Sequence, residues 1–344
     1  MPVTIYDIAD QAGVSIATVS RAFNGHPRVS ETTRQKVFGV AEDLGYVPHA
    51  SAQSLARQST RLLSAILPMM TSAFFMEVLR GVQDRLDETD FDLLVYASRS
   101  LDRVGAQLDR AVQRGRADGI FAISTPLDDA RAAQITTSLQ PAVLIDAHHP
   151  AHDSVTVDNR RGGAIATQHL LDRGHTRIAM LMPAADSGPG VRRRSGYLDT
   201  LAAAGIAPDP DLIVEAEWDE GHHGYTRYAG YRGMQALLAR FEGRPDAPTA
   251  VFAAADVLAY GALRAAREAG IHAPRDLDVV GFDDIESSAY AGLTTVRQPM
   301  YDMGRVGADL LLRRLDGGDG DPQHVVFAPE LVVRESTGGA GPLA

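Results

Sequence analysis

Two short helical repeats, parted by Ala12-Gly13-Val14-Ser15, fix what the start of this chain can fold into. Ile5, Ile8, Ala9 and Ala12 share one helical face. Thr4 stands at the N-cap position with Asp7 three residues on, a capping-box pattern. Gly13 supplies the positive φ that a sharp exit needs. Ser15 can cap a second helix whose Val19, Ala22 and Phe23 face inward, and Asn24-Gly25 and Pro27 stop it. Ser30 can cap a third, with Val37, Val40, Ala41 and Leu44 as its buried stripe and Gly45 as its end. The spacing of the first two helices predicts a helix-turn-helix, a unit whose second helix lies in the major groove of DNA. Ile16, Ala17, Ser20 and Arg21 are then left on the outward face of that helix. A plain three-helix lobe with no ligand would share the same pattern.

Charge bears on that choice. The net charge is −11 over 344 residues. Within residues 1–60, Arg21, Arg28, Arg34, Lys36 and Arg57 cancel Asp7, Asp10, Glu31, Glu42 and Asp43, so the whole deficit lies beyond residue 60. An acidic body limits nonspecific adhesion while a locally neutral head docks on phosphates. A head this short of cations depends on hydroxyl and backbone N–H contacts, for which Thr4, Tyr6, Ser15, Ser20, Ser30, Thr33 and Tyr46 are available. The chain has no cysteine, which excludes a disulfide framework and thiolate chemistry. No run is long and apolar enough for a membrane span, and Met-Pro-Val-Thr-Ile-Tyr-Asp has neither the basic nor the apolar region of a signal peptide. A cytoplasmic protein is expected.

From Arg61 onward short apolar runs alternate with longer amphipathic ones. Strands are predicted at Leu62–Leu67, Leu93–Ala97, Gly119–Ser124, Ala142–Asp146 and Ser154–Val157. A second series follows at Ile178–Met182, Ile213–Glu217, Ala250–Ala254 and Asp278–Phe282. Helices are predicted between them, among others at Phe75–Asp87, Arg160–Asp172, Val191–Ala204 and Val257–Glu268. Such alternation predicts parallel sheets covered on both faces, and two series predict two Rossmann-like lobes with a ligand between them at the strand carboxyl ends. The chain carries no G-x-S-x-G elbow, no G-x-G-x-x-G fingerprint and no P-loop, so neither an enzyme nor a bound cofactor is expected. His148-His149-Pro-Ala-His152 could hold a metal or form a solvated loop, and it lacks a second ligand set at a defined spacing, so no metal is expected.

The run Thr4–Asn24 follows T-x-x-D-x-A-x-x-A-G-V-S-x-x-T-V-S-R-x-x-N. Downstream stand SVTVDNRRGG at 154–163, LLDRGHTRIA at 170–179, VGFDD at 280–284 and LTTVRQP at 293–299. In these stretches, and nearly to its end, the chain resembles the lac repressor/galactose repressor (LacI/GalR) family of gene regulators. The resemblance implies an all-α helix-turn-helix head at 1–48, a hinge helix at 49–60, and a periplasmic-binding-protein-like α/β body at 61–344. Family members cross between lobes three times. The matching places are near Asn159, Gly292 and Gln323, giving a first lobe of about 61–159 plus 293–322 and a second of about 160–292 plus 323–340.

By the same resemblance, Ile16, Ala17 and Arg21 meet DNA bases. Ile16 and Ala17 have no hydrogen-bonding groups and are limited to shape and thymine methyls, whereas Arg21 could pair with guanine or contact phosphate. Thr4, Tyr6, Ser15, Thr18, Ser20, Asn24, Arg28, Ser30 and Tyr46 complete the head's expected DNA contacts. Ala52 and Leu55 lie in the hinge, where the leucine would wedge into the minor groove and kink the duplex. Positions matching the family's effector cleft are Phe74, Phe75, Asp146, Arg193, Trp218, Asp283 and Gln298. Aromatic faces with Asp and Arg suit a polyol, so a sugar or glycoside is the expected effector. Phe75 could equally be core, and Arg193 and Asp283 could simply pair with each other. Ala255 stands where many members carry a polar residue, and the stretch 220–229 is long, with His222, His223 and Tyr225 able to reshape the cleft rim. Paired effector domains and a near-palindromic site are implied too, and the ending Gly338–Ala344 predicts a dimer without a tetramerising tail. Alternatives are a solute-binding protein with the same body, or a regulator using a non-sugar effector or a protein corepressor.

Overall fold

The structure is a computed structural model, and it describes residues 3–23, 26, 28–46, 59–98, 101–113, 115–184, 187–215 and 224–339. Asn24, Ala52, Leu55 and Trp218 lie outside the described residues. So do His222, His223 and most of the hinge.

The head forms as its capping signals predict. Helices α1 (Ile5–Ala12), α2 (Ile16–Phe23) and α3 (Glu31–Asp43) surround a small core of Ile8, Ala12, Val19, Ala22, Val37 and Ala41. The Asp7 carboxylate accepts the Thr4 N–H at 2.7 Å, and Gly13 leaves α1 with φ 62°. Ser15 accepts the Thr18 N–H at 3.1 Å, and Ser30 accepts the Thr33 N–H at 3.2 Å. Each bond satisfies one of the amide donors that a helix start leaves unpaired.

The body's strands are β1 (Leu62–Leu67), β2 (Asp92–Ala97), β3 (Gly119–Ile123), β4 (Ala142–Ile145), β5 (Asp153–Val157) and β6 (Ile178–Met182). They continue with β7 (Ile213–Glu215), β8 (Ala250–Ala253), β9 (Asp278–Asp283), β10 (Thr294–Arg297), β11 (His324–Phe327) and β12 (Glu330–Val332). The first sheet runs β11-β5-β4-β3-β1-β2 and the second β12-β10-β9-β8-β6-β7. All pairs are parallel except β10 with β12. Near-continuous apolar strands such as Ile178–Met182 and Ala250–Ala253 are buried throughout, as sheets covered on both faces require. Among the described residues no helix is long and apolar enough to cross a membrane.

At the first crossing, β5 belongs to the first sheet, and helix Asn159–Asp172 packs on Gly188–Ala203 in the second lobe. The other two fall later than expected. Thr294–Arg297 extends the second sheet, with Thr294 opposite Val280 and Val296 opposite Phe282, so the chain leaves that lobe at Gln298-Pro299 and not near Gly292. Helix Met300–Leu315 then packs on Ala73–Leu86 of the first lobe. His324–Phe327 pairs with β5 and covers its outer edge, so the last crossing is at Ala328-Pro329 and not at Gln323. The segments at 294–297 and 324–327 add strands beside β9 and β5, and in the second sheet β12 then forms the edge.

Helices Asn159–Asp172 and Gly188–Ala203 touch backbone to backbone. A Cβ on Gly196 would lie 1.9 Å from the Arg160 carbonyl oxygen, and one on Gly163 would lie 2.1 Å from that of Arg193. Only glycine fits at this contact, which sets where Arg193 stands.

Candidate functional site

On the head, Ile16, Ala17 and Arg21 are exposed on one face of α2, as are Thr4, Tyr6, Ser15, Arg28 and Ser30 around it. Ile16 is 41% exposed and Tyr6 67%, large values for apolar and aromatic side chains in a unit whose core excludes them. Thr18 and Ser20 are half-buried, and the Thr18 hydroxyl is 2.9 Å from that of Ser15. Tyr46 is half-buried too, stacked on Phe23 with ring centroids 5.8 Å apart, so its ring closes the core.

In the body, polar groups converge where strands end. Asp283 closes β9 with φ 121°, and Asp146 follows β4 with φ 56°. Backbone in these regions costs of order 1–3 kcal/mol for a residue with a Cβ. Such strain persists at sites where the carboxylates must point a given way. Arg193, 3% exposed, donates from Nε to Asn159 Oδ1 at 2.8 Å and from Nη1 to the Ala254 carbonyl at 2.6 Å. Its guanidinium lies 3.6 Å from the Phe282 ring centroid and 3.6 Å from Asp283 Oδ1. The Gln298 amide donates to Asp283 at 2.6 Å, while Gln298 Oε1, buried, accepts no hydrogen bond from the described residues. The Ser124 hydroxyl donates to Asp146 at 2.6 Å, and the Tyr225 hydroxyl meets that of Ser187 at 2.7 Å.

The electrostatics tie the two lobes together. Burial pushes the Asp146 carboxyl up, against the Ser124 hydrogen bond and the Arg193 charge, which reaches it from the other lobe. Burial likewise raises Asp283, with Arg193 and Gln298 opposing. Tyr225 is raised by burial and feels Arg193, Asp146 and Asp283. Asp146, Arg193, Tyr225, Asp283 and Gln298 therefore share one polar cleft. Beneath it Asp256, wholly buried, accepts from the Thr295 hydroxyl at 2.5 Å, the Ser288 hydroxyl at 2.6 Å and the Ile285 N–H at 3.0 Å. Burial and the charge of Asp283 raise this carboxyl, against the hydrogen bonds it accepts from Ser288, Thr295 and Ile285.

Phe75 is not brought to this cluster. It lies in the first lobe's core with Val78, Leu79, Val82 and Leu86, and Phe74 sits half-buried beside it in an edge-on contact of 5.2 Å. Arg193 and Asp283 do pair, as one of the sequence alternatives had it, and both also face the cleft. Three cleft residues were not named as ligand positions: Ser124, Asn159 and Tyr225. The histidines stay near one another, with the His149 and His152 ring centroids 6.1 Å apart, but take separate partners: His149 Nε2 lies 3.1 Å from Asp129, His152 Nε2 lies 3.1 Å from the Ala132 carbonyl oxygen, and His148 packs on His324. Among the described residues no group of three or more potential ligands could hold a metal.

Comparison with known proteins agrees over nearly the whole chain. Residues 4–49 match the domain family "Bacterial regulatory proteins, lacI family", and residues 167–337 match "Periplasmic binding protein-like domain". The HTH-type transcriptional regulator DegA of Bacillus subtilis (strain 168) is 34% identical over 344 residues, covering 98% of this chain and 98% of DegA. The lac repressor dimer bound to operator and the anti-inducer ONPF superposes with a TM-score of 0.83 at 29% identity, covering 98% of this chain and 99% of that one. The transcriptional regulator CelR in complex with cellobiose superposes with a TM-score of 0.69 at 32% identity, covering 97% and 99%. The exposed face on α2, the two-lobed body and the polar cleft at the strand ends are those of a transcriptional regulator, and the chain belongs to the lacI family of bacterial regulatory proteins.

Proposed function

We propose that the chain is a dimeric repressor that reads a near-palindromic operator and releases it when a neutral carbohydrate enters the cleft. One observation carries the effector class: the cleft is rich in acceptors, and the one buried cation among its described residues is already engaged. Asp146, Asp283 and Gln298 Oε1 ask for hydroxyl donors, while Arg193 is held by Asn159, Ala254 and Asp283. A carboxylate or phosphate ester would meet two carboxylates and a committed guanidinium. A polyol meets groups it can satisfy, and the relative solved with cellobiose is of this kind. A DNA-binding role places the protein in the cytoplasm.

Thermal denaturation of the full chain against a panel of neutral mono- and disaccharides, cellobiose included, tests this. A ligand at a hundredfold excess over its Kd adds about 2.7 kcal/mol. A panel in which only sugar acids or sugar phosphates raise the Tm overturns the assignment.

On the head, Arg21 is assigned to a guanine at one symmetric position of the operator. Arg21→Ala is expected to cost about 1–3 kcal/mol per half-site and to relax specificity there alone. Competition binding across single-base operator variants reads this out. An equal loss on every sequence would mean a phosphate contact instead.

A further inference from the structure

We infer that Asp118 is the positioning residue that couples the first lobe to the chain segment leading to the head, a proposal resting on the regulator function above. Asp118 stands just before β3, yet its carboxylate gathers Ser59 and Thr60, the described end of the hinge segment, together with Arg61. Oδ1 accepts the Thr60 N–H at 2.8 Å and the Thr60 hydroxyl at 2.9 Å. Oδ2 accepts the Ser59 hydroxyl at 2.6 Å and the Arg61 N–H at 3.0 Å. Arg61 adopts φ 55° at this turn. Ionised, a carboxylate has room for four donors, and charge-assisted bonds of this kind are the stronger class. Burial pushes the Asp118 carboxyl up, but the donors from Ser59, Thr60 and Arg61 outweigh it and hold it below the ordinary value, so it is charged at neutral pH.

The backbone closes the same clasp. The Asp118 N–H donates to the Leu62 carbonyl at 2.7 Å, and the Asp92 N–H donates to the Arg61 carbonyl at 2.9 Å. Residues 59–62 are thus fixed to the starts of two strands in the first sheet. Without the carboxylate, residues 59–60 become slack while the backbone bonds still hold Arg61 and Leu62, and two extended residues reach about 7 Å. Slack of that size absorbs a lobe displacement before it reaches the head. With the clasp shut, any displacement of the first lobe moves Ser59 with it.

The test uses the full-length dimer, an operator duplex selected from random DNA, and cellobiose with the rest of the saccharide panel. The variants are Asp118→Asn and the double variant Ser59→Ala with Thr60→Val, which keeps Asp118 and removes the two hydroxyls. Each of these donates to Asp118 and also accepts a backbone N–H, from Arg61 at 3.3 Å and from Leu62 at 3.2 Å. Sugar binding without DNA is expected to stay at the parent's level in both. The factor by which sugar weakens operator binding, 5–150-fold in typical allosteric proteins, is expected to fall below about threefold in Asp118→Asn and to an intermediate value in the double variant. Parent-like coupling in both variants overturns the proposal. So does a lowered Tm with sugar and operator affinities reduced together and their coupling kept, since that is damage to the fold alone. A parent that binds operator and releases it for no sugar overturns the carbohydrate function, and the clasp proposal falls with it.

Discussion

Asp283→Ala is expected to hold its operator as the parent does and to ignore the effector. The side chain does three things at once. It offers an acceptor to the cleft, it takes the Gln298 amide at 2.6 Å where the chain crosses between lobes, and it faces Arg193 at 3.6 Å. None of these contacts reaches the head. A ligand shifts a two-state equilibrium only by its differential affinity for the states, about 1–3 kcal/mol or 5–150-fold in typical cases. Removing the group that links ligand to crossing removes that difference. Titration of a labelled operator complex with the effector reads it, and release at the parent's concentration would sink the assignment. Asp283→Asn separates charge from shape: it keeps an acceptor and should retain part of the response.

Gly196→Ala is expected to be a severe change despite adding one methyl group. The new Cβ would stand 1.9 Å from the Arg160 carbonyl oxygen and 2.7 Å from the Ala164 nitrogen, and neither can rotate away. The helices must separate, carrying Arg193 on one and Asn159 on the other out of their 2.8 Å hydrogen bond. Overpacking costs typically about 1–3 kcal/mol, occasionally more, and backbone against backbone belongs at the upper end. For a body of this size each kcal/mol lowers the Tm by about 2–4 °C. Effector affinity should fall as well, because the arginine moves. An unchanged Tm with unchanged effector affinity would show that the contact is softer than it looks.

Much of this was legible because local chemistry and global fold agree. Ser15 and Ser30 cap the helices they were expected to cap, and Gly13 turns with the φ its position demanded. Phe75 could have been settled by register: 75, 78, 79, 82 and 86 make a helical stripe, and Phe74 falls off it. The crossings were not legible for a different reason. TTVR at 294–297 and HVVF at 324–327 were not among the predicted strands, and even a predicted strand does not state which sheet it joins. That depends on which existing edge is open, which is a property of the assembled sheet. Ser124 and Asn159 were missed because single polar residues at element ends carry no periodicity, and only the folded cleft shows what they touch. Tyr225 was placed on the rim, and its hydrogen bond to Ser187 shows what it turns inward to meet.

The late return of the chain has a consequence for synthesis. The head's three helices are complete by residue 43, and among the described residues their core draws on nothing beyond Tyr46. The first lobe, by contrast, waits for the helix at 300–315 that buries Met303, Leu311 and much of its core, and for the edge strand at 324–327. The second waits for 330–332. A growing chain folds its emerged segments in order, at about 5–20 residues per second. The head is therefore ready within seconds of leaving the ribosome, and both lobes close only as the last few dozen residues appear. Two nascent heads cannot be held at operator spacing until their bodies can pair, so a truncated product carries a folded DNA-binding unit with neither a partner nor a sensor.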